Sequence, residues 1–344
     1  MKQYRQLIKR VMVKENLRPN RTGVMAYRTT GESMTFDLTK GFLAVTSKPL
    51  AFKGVKGEAI GFLNAFTNAG EFRALGCKVW DGNANGPGQP GAPNKWLTNP
   101  FRKGEDHLGP VYGVPWREWD GYKILDSKGS TPEDQARLDA IIEKIESDGW
   151  VKIGNLEGGD QVYHRSIDQF GDCVRSIIKD PDSRRILFHG WNPAILDEVA
   201  LPACHLLYHF LPDQFTRELN MIIYLRSNDI GLGTPFNMAE AAFFMHVVGR
   251  VTGYTPKKLS YFIGDAHIYE NQVEYLTELL SNKPYRLPTL EVSDDVWKFP
   301  VGEPVTPELI EMAVSSLKKI RPEHFVLKNY RHHKLVTPVP AMVV

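Results

Sequence analysis

The chain has 344 residues, of which 42% are apolar and 11% aromatic. This size and composition allow a sizeable buried core and exclude intrinsic disorder. The 42 lysine and arginine residues nearly balance 40 aspartate and glutamate residues, for a net charge of +2. The chain therefore lacks the basic excess typical of nucleic-acid-binding proteins.

The cysteines and the N-terminus bear on the compartment. The chain has three cysteines, Cys77, Cys173 and Cys204, and an odd number without paired spacing argues for a reducing compartment rather than a disulfide framework. MKQYRQLIKRVM at the N-terminus lacks the apolar core of a secretory signal. No stretch approaches the ~20 apolar residues of a membrane-spanning helix. We expect a cytoplasmic globular protein with no membrane or nucleic-acid partner.

The first third of the chain mixes helices and strands. Residues 1–16 carry apolar side chains at helical spacing, and 34–46 alternate as a strand–turn–strand unit. Residues 58–66, EAIGFLNAF, predict a helix led by one acid. Residues 82–106 hold five Gly and four Pro, a composition that opposes helix and sheet and predicts a long surface loop.

The rest of the chain is more regular. A helix is predicted from Thr131, where a hydroxyl cap precedes proline and two acids, to Gly149. The pattern then predicts further elements in this order: a helix at 165–179, strands at 186–191, 206–211 and 219–227, a buried helix at 238–253, a strand at 257–269 and a helix at 271–281. This irregular interleaving predicts an α+β fold rather than a βαβ parallel sheet.

Cys204 lies in LPACHLLYHF, residues 201–210, directly before His205. A cysteine in this setting is a nucleophile, a metal ligand or a core residue. Zinc needs further Cys or His at short spacing, so this pair is a weak match, and a protease-like dyad depends on partners that only the fold brings together. A nucleophilic thiolate needs a nearby cation, which Arg226 supplies if the two strands pair.

Three other motifs are rich in polar groups. RSNDIGLGTPFN, residues 226–237, lies between apolar segments, where Arg, Asp and Asn are costly to bury unpaired, so we favour a site over a plain turn. DPDSRR, residues 180–185, offers adjacent arginines suited to a phosphate, although such pairs usually face solvent. His267 and Tyr269 in GDAHIY share one face if they lie on a strand, but a lone histidine is more often structural.

The motifs NRTG, LGPVYG-WR, DPDSRR, LPACH, RSND–LG-PFN and GDAHIY, in this order, resemble the thymidylate synthase family of folate-dependent pyrimidine nucleotide C5 transferases. The resemblance runs from about residue 1 to 290. It implies one catalytic domain over 1–344 with insertions at about 82–106 and 120–160. It also implies a large mixed β-sheet covered by helices, and a homodimer formed through one face of that sheet.

The resemblance implies a role for each catalytic residue. Cys204 would add to C6 of the pyrimidine and make C5 nucleophilic, a covalent strategy that divides one difficult step. Arg226 would favour the thiolate and touch the phosphate, and Glu58 would act as general acid and base through ordered water. Tyr112 and His205 would support proton movement.

The resemblance also implies the binding residues. The phosphate clamp would comprise Arg21, Arg226 and Ser227, with Arg184 and Arg185 lent by the partner subunit. His267 and Tyr269 would hold the sugar 3′-hydroxyl. Asp229, also in the catalytic set, would bind the pterin of 5,10-methylenetetrahydrofolate, the co-substrate, in a pocket walled by Trp80, Leu232, Gly233 and Phe236. No metal is implied.

Asn237 indicates the base. Its amide can donate to O4 and accept from N3–H, the edge that uracil presents, whereas cytosine-specific relatives carry an aspartate that accepts from the 4-amino group. Because Asn237 occupies this position, the resemblance implies that the nucleotide is dUMP.

Several positions depart from the usual synthase pattern on the folate side. Gly61 and Gly231 replace aromatics, Asn83 replaces a tryptophan, Leu225 replaces a glutamine, and an insertion starts at the folate wall. Reduction of the shared methylene intermediate requires stacked folate and excluded water. A wetter folate side favours a deoxyuridylate hydroxymethylase, which gives 5-hydroxymethyl-dUMP and tetrahydrofolate. Such an enzyme would fit bacteriophage DNA modification in a host cytoplasm.

Two alternatives stay open. Trp80 is retained, and the apolar end VPAMVV, 339–344, resembles the tail that closes over the synthase site, which favours a thymidylate synthase giving dTMP and dihydrofolate. The second alternative is a catalytically inactive relative that binds nucleotide or RNA. Retention of Cys204, Glu58 and Arg226, together with Asp229, argues against it.

Overall fold

The computed structural model describes residues 1–20, 22–89, 92–126 and 131–340. The helices in these ranges are α1 Lys2–Val11, α2 Phe52–Leu63, α3 Ala69–Ala74, α4 Asp81–Asn85, α5 Gly113–Arg117, α6 Pro132–Ser147, α7 Gln169–Lys179, α8 Gly233–Thr252, α9 Val273–Ser281 and α10 Pro307–Ser316. The strands are β1 Leu17–Arg18, β2 Ala26–Asp37, β3 Gly88–Gln89, β4 Ala92–Pro93, β5 Trp119–Leu125, β6 Val151–Asn155, β7 Gln161–Ile167, β8 Leu187–His189, β9 His205–Asp213, β10 Glu218–Asp229, β11 Thr255–Tyr269, β12 Thr289–Val292 and β13 Phe325–Lys328.

A six-stranded mixed sheet organises the chain, in the order β1-β2-β11-β10-β9-β8. Strands β10 and β11 run parallel and are connected through α8, whereas the other neighbours pair antiparallel. On β10, Met221, Ile223 and Leu225 are buried on the side that α8 covers, while Tyr224 points the other way and is exposed. This large mixed sheet flanked by helices confirms the predicted α+β fold.

Helix α8 is the central element of the core. It is buried on nearly every side, as its all-round apolar sequence predicts. It ends at Gly253, which adopts a left-handed conformation with φ of 74°. The helix packs on β10, β11 and α2, so its N-terminal turn is held at the carboxyl end of β10.

Residues 119–167 form a second, smaller unit. Strands β5, β7 and β6 make a three-stranded sheet, with a small core of Ile145, Trp150 and Tyr163 beneath α6. Thr131 caps α6, accepting a hydrogen bond from the Asp134 amide at 3.1 Å, which confirms the predicted helix start. This unit includes the predicted insertion at 120–160.

Two of the predicted boundaries are wrong. The second strand expected within 34–46 does not form: β2 ends at Asp37, and Gly41, with φ of 124°, turns the chain so that residues 42–45 are buried as irregular backbone. The helix expected from residue 165 begins only after Asp168, whose carboxylate accepts from the Gly171 amide and caps α7. Residues 161–167 instead form β7, pairing with β5 and β6.

The segment 82–106 is also more ordered than its composition predicts. It contains the end of α4, the short β3–β4 pair and a 3-10 turn at Lys95–Thr98. Trp96 is buried, and its indole donates to the His107 carbonyl at 2.6 Å. Buried aromatic surface therefore holds this glycine- and proline-rich segment against the body of the protein. In the described ranges, no helix is both long and apolar enough to cross a bilayer.

Gly253→Ala is expected to lower the free energy of unfolding by about 1–2 kcal/mol, because alanine is disfavoured at positive φ. Its Cβ would also lie 2.6 Å from Val301 Cγ2 and 2.8 Å from Arg217 Nη2. Urea denaturation at fixed protein concentration measures the change.

The matched control is Gly82→Ala, in α4, where an added Cβ meets no atom within 4 Å. This control is expected to stay within about 0.5 kcal/mol of the parent protein. Equal effects of the two substitutions would contradict the assignment of Gly253 as a required helix terminus.

Candidate active site

Cys204 and Arg226 meet across the β9–β10 pair. The Arg226 amide donates to the Cys204 carbonyl at 3.0 Å. The Arg226 guanidinium donates to the carbonyls of Ala203 and Pro202 at 2.8 and 3.0 Å. The strand pairing on which the nucleophile hypothesis depends is therefore present, and Cys204 is a partly exposed free thiol.

A β-bulge lies next to the contact between Cys204 and Arg226. Leu207 opposes Tyr224, but the next pair is His205 with Leu225, so Leu206 is an extra residue on β9. A bulge bends its strand and re-aims the neighbouring side chains. The irregularity lies directly beside Cys204 and Arg226.

Tyr112 connects Cys204 to the aromatic core. Its hydroxyl accepts from the Cys204 amide at 2.8 Å, and its ring stacks on Phe62 at 5.0 Å. Burial, with the nearby Cys204 as a second cause, raises the pKa of Tyr112 well above its ordinary value. Tyr112 therefore keeps its proton at neutral pH.

Glu58 lies on α2, where it is almost fully buried. Burial raises the pKa of Glu58 to about 7, and hydrogen bonding with Glu240 and Trp80 opposes this increase. A carboxyl with a pKa near the working pH can both give and take a proton. Glu58 therefore has the ionisation behaviour expected of a general acid and base.

His205 is another buried titratable group. Its Nδ1 lies 3.0 Å from the Tyr208 hydroxyl. Burial lowers the pKa of His205 to about 4, although hydrogen bonding with Asn237 opposes the decrease. The imidazole is therefore neutral at pH 7. A neutral imidazole can pass a proton along a hydrogen bond without itself carrying a charge.

Asn237 is oriented by Asn228, a neighbour that had no assigned role. The Asn228 amide donates to Asn237 Oδ1 at 2.8 Å. Asn228 is itself fixed because its oxygen accepts from the hydroxyls of Thr234 and Tyr261, at 2.5 and 3.0 Å. Asn237 thus has a defined amide orientation, with its oxygen toward Asn228.

Asp229 is held rigidly at the turn before α8. Its Oδ1 accepts from the amides of Gly231 and Leu232, and its Oδ2 accepts from Gln272 Nε2 at 2.7 Å. Lys48 lies near it: burial lowers the pKa of Lys48 to about 8, while Asp229 opposes the decrease. Gln272 is buried and was not predicted, because its partner is 43 residues away.

The other predicted binding residues fall into two groups. His267 and Tyr269 have rings in contact at 5.1 Å, which confirms that they share a face, and His267 Nδ1 lies 3.1 Å from Asp265. Arg184 and Arg185 are exposed, and neither guanidinium has an ion pair or hydrogen bond within the described part of the chain. Arg21 and residues 341–344 lie outside the described residues.

The residues predicted to contact folate lie around the turn into α8 and beside α2. Trp80 is buried against Phe62 and Tyr112, and its Nε1 has no hydrogen-bond partner of ordinary geometry among the described residues. Leu232 immediately precedes α8, and Gly233 and the partly buried Phe236 lie in its first turn. Ser227 lies a few residues earlier, on β10. The α8 residues in this group therefore share a helix with Asn237.

The two glycines expected to leave gaps do not do so. A side chain at Gly61 would collide with the ring of Phe72, which packs edge-on against Phe62 at 5.6 Å. A side chain at Gly231 would collide with the Gln272 amide. Asn83 and Leu225 are both buried. The structure therefore contradicts the expected thinning of the folate side at both glycines.

Among the described residues there is no group of three or more His, Cys, Asp or Glu side chains arranged to bind a metal ion. A zinc ligand role for Cys204 consequently gains no support from its surroundings. The arrangement instead combines a free cysteine paired through its backbone with Arg226, a carboxyl with a pKa near neutrality and an oriented amide.

This combination on a mixed sheet suits an enzyme that uses a cysteine nucleophile and a buried carboxyl as acid and base. The family model for thymidylate synthase matches residues 2–342, and the chain belongs to the thymidylate synthase family. Members of this family transfer a folate-borne one-carbon unit to C5 of dUMP.

Curated relatives agree over nearly the whole length. Proteins named thymidylate synthase from Pseudomonas syringae pv. tomato and Pseudomonas putida are each 47% identical over 340 residues, covering 98% of both chains. The protein of that name from Bordetella parapertussis is 45% identical over 339 residues, again covering 98% of both. The relatives are therefore similar through both insertions as well as the core.

Tyr112→Phe is expected to lower the free energy of unfolding by about 1–3 kcal/mol, because the Cys204 amide loses its acceptor. Urea denaturation tests this, with Tyr122→Phe as the control. Tyr122 is exposed, and its hydroxyl has no hydrogen bond among the described residues, so its loss is expected to cost less than about 0.5 kcal/mol. A Tyr112→Phe protein as stable as the control would contradict the structural role of this contact.

Proposed function

We propose that the chain is a thymidylate synthase that converts dUMP to dTMP by covalent catalysis through Cys204. The observation that carries the proposal is the meeting of Cys204 with Arg226 across β9 and β10, within a chain 47% identical to proteins named thymidylate synthase. Arg226 stabilises the thiolate, which adds to C6 of the uracil ring and leaves electron density at C5.

The proton steps are assigned to Glu58, with support from two neutral groups. Glu58 gives a proton toward O4 through water as C6 is attacked, and later takes the C5 proton. Its pKa of about 7 suits both directions. Tyr112 and His205, which stay neutral at this pH, pass protons without changing the charge of the site.

Nucleotide binding is assigned to the remaining polar groups. Asn237, oriented by Asn228, donates to O4 and accepts from N3–H of uracil. His267 and Tyr269 hold the sugar hydroxyl, and Ser227 with Arg21 and Arg226 binds the phosphate. This assignment follows the family resemblance residue by residue.

Folate binding is assigned to the turn before α8 and the aromatic wall. Bound methylenetetrahydrofolate supplies the one-carbon unit and, in a synthase, the hydride. Asp229, braced by two backbone amides and Gln272, offers a fixed carboxylate to the pterin. Trp80, packed against Phe62, lines the pocket together with Leu232, Gly233 and Phe236. The residues present therefore suit this group.

The choice of methyl over hydroxymethyl rests on two findings. The relatives carry the name thymidylate synthase, so neither a hydroxymethylase nor a bacteriophage DNA-modification role is supported. The gaps expected at Gly61 and Gly231 are filled by Phe72 and Gln272. A closed folate side supports exclusion of water from the methylene.

We propose that residues 1–344 form a single catalytic domain with two insertions. We also propose that two copies of this domain assemble as a homodimer. Tyr224 and Phe262, paired neighbours on β10 and β11, are both exposed on the sheet face away from α8. Large exposed apolar side chains on a sheet are typical of an interface. Arg184 and Arg185, without ion pairs in the described ranges, remain available to a phosphate in the partner subunit.

Wild-type protein with dUMP and methylenetetrahydrofolate is expected to give dTMP and dihydrofolate in equal amounts. Mass analysis of the nucleotide and the rising absorbance of dihydrofolate measure both. A nucleotide heavier by a hydroxymethyl group, with tetrahydrofolate, would contradict the synthase assignment. No product and no tritium release from C5-labelled dUMP would favour an inactive binder.

The control for this experiment is a pair of cysteine variants. Cys204→Ser is expected to bind dUMP and to lower turnover by at least about a thousandfold, because serine is a far weaker nucleophile at neutral pH. Cys173→Ala, on α7, is expected to stay within about twofold of wild type. Equal activity of the two variants would exclude Cys204 as the nucleophile.

Asn237→Asp is expected to raise kcat/KM for dCMP relative to dUMP by at least about tenfold, since a carboxylate accepts from the 4-amino group. Steady-state kinetics with both nucleotides measure the ratio. Asn220→Asp, at the far end of β10, is the matched control and should leave the ratio unchanged. An unaltered preference for dUMP in Asn237→Asp would refute the assignment of the base.

A further inference from the structure

Glu240, on α8, is a second buried carboxyl directly behind Glu58. It is fully buried, and its surroundings consist of the core side of the sheet and α2. When it is written as a carboxylate, neither of its oxygens has a hydrogen-bond donor among the described residues. A buried carboxylate without a partner costs several kcal/mol, so an additional proton is required to explain this position.

The groups that face Glu240 do not supply a positive charge. They come from each element around it: Glu58 on α2, His205 and Tyr208 on β9, Tyr261 on β11, and Cys77 before α4. His205 Nδ1 lies 3.5 Å from Glu240 Oε2, but that nitrogen also faces the Tyr208 hydroxyl, and the lowered pKa of His205 keeps the ring neutral. Burial raises the pKa values of Tyr208, Tyr261 and Cys77. These three side chains are therefore uncharged at pH 7.

Two buried carboxyls without a nearby cation cannot both be ionised. A proton between them gives Glu240 a donor and Glu58 a hydrogen bond. The pKa of Glu240 is accordingly raised well above its usual range, by burial first and then by the charge and hydrogen bond of Glu58. That hydrogen bond lowers the pKa of Glu58, leaving it the more readily ionised of the two.

We propose that Glu240 is a positioning residue for proton transfer, which shares one proton with Glu58 and thereby sets the pH range in which Glu58 works. When Glu58 gives its proton toward the nucleotide through water, Glu240 keeps its own proton and donates it in a hydrogen bond to the new Glu58 carboxylate. When Glu58 takes the C5 proton, both carboxyls are protonated again, so the pair carries at most one negative charge at any stage. Glu240 has no assigned contact with nucleotide or folate and acts only through Glu58.

This inference rests on the proposed function for its activity readout. The test is the pH dependence of kcat in Glu240→Gln, which keeps the size and a hydrogen-bond donor but removes the shared proton. Because an amide is a weaker donor than a carboxyl, the hydrogen bond that lowers the pKa of Glu58 is weakened, and we expect the pH profile of kcat to move to higher pH by about one unit or more. On the acid side of the profile kcat is expected to fall about tenfold. The Kd for dUMP is expected to stay within about twofold. A profile with the wild-type shape and position would overturn the proposal.

Two further variants separate this role from a packing role. Glu240→Asp keeps the carboxyl and is expected to recover part of the wild-type profile. Thr252→Val removes a buried hydroxyl from the other end of α8, where that hydroxyl donates to the Val248 carbonyl of the same helix, and should leave the profile unchanged. A shift of the same size in Thr252→Val would assign the effect to helix packing and overturn the proposal.

A measurement on wild-type protein keeps the proposal testable if Glu240→Gln does not fold. The infrared band of a protonated buried carboxyl is expected at pH 7.5 in dUMP-free protein and absent in Glu58→Gln/Glu240→Gln. Absence of the band in wild type would overturn the shared proton, whichever product the enzyme makes. A hydroxymethyl product with the band present would reject the proposed function and leave the carboxyl pair standing.

Discussion

The pairing of β9 with β10 is the constraint on which the site depends. The bulge at Leu206 allows Cys204, just before β9, to lie beside Arg226, near the end of β10. A shift of one residue would turn each side chain to the opposite face. Burial of Met221, Ile223 and Leu225 under α8 prevents that shift. The apolar face of the sheet therefore determines that Cys204 and Arg226 are neighbours across the two strands.

Burial also sets the charge state of the groups around them. Removal from water raises the pKa of Glu58 and lowers that of His205, because each loses hydration of its charged form. The site thus has one carboxyl able to exchange protons near neutrality, next to an imidazole that stays uncharged. The same core that stabilises the fold prepares the proton chemistry, and Glu240 belongs to both.

The folate side illustrates how a substitution can mislead when it is considered alone. Gly61 and Gly231 each lack a side chain, and from the sequence each predicted a gap open to water. In the fold, Phe72 and Gln272 occupy those spaces from other elements, and Gln272 also braces Asp229. Packing density is a property of neighbours in space, so the loss of one side chain does not define a cavity.

Sequence by itself determined the α+β class, most strands and helices after residue 180, the cap at Thr131, and the motifs that resemble the family. These follow from local periodicity and from residue types whose chemistry is explicit. Only the tertiary structure decided that Asn228 orients Asn237, that Gln272 fills the space at Gly231, and that Glu240 faces Glu58. Those contacts join residues far apart in sequence or on different elements, and burial alone gives them their strength, because water would otherwise compete for each polar group.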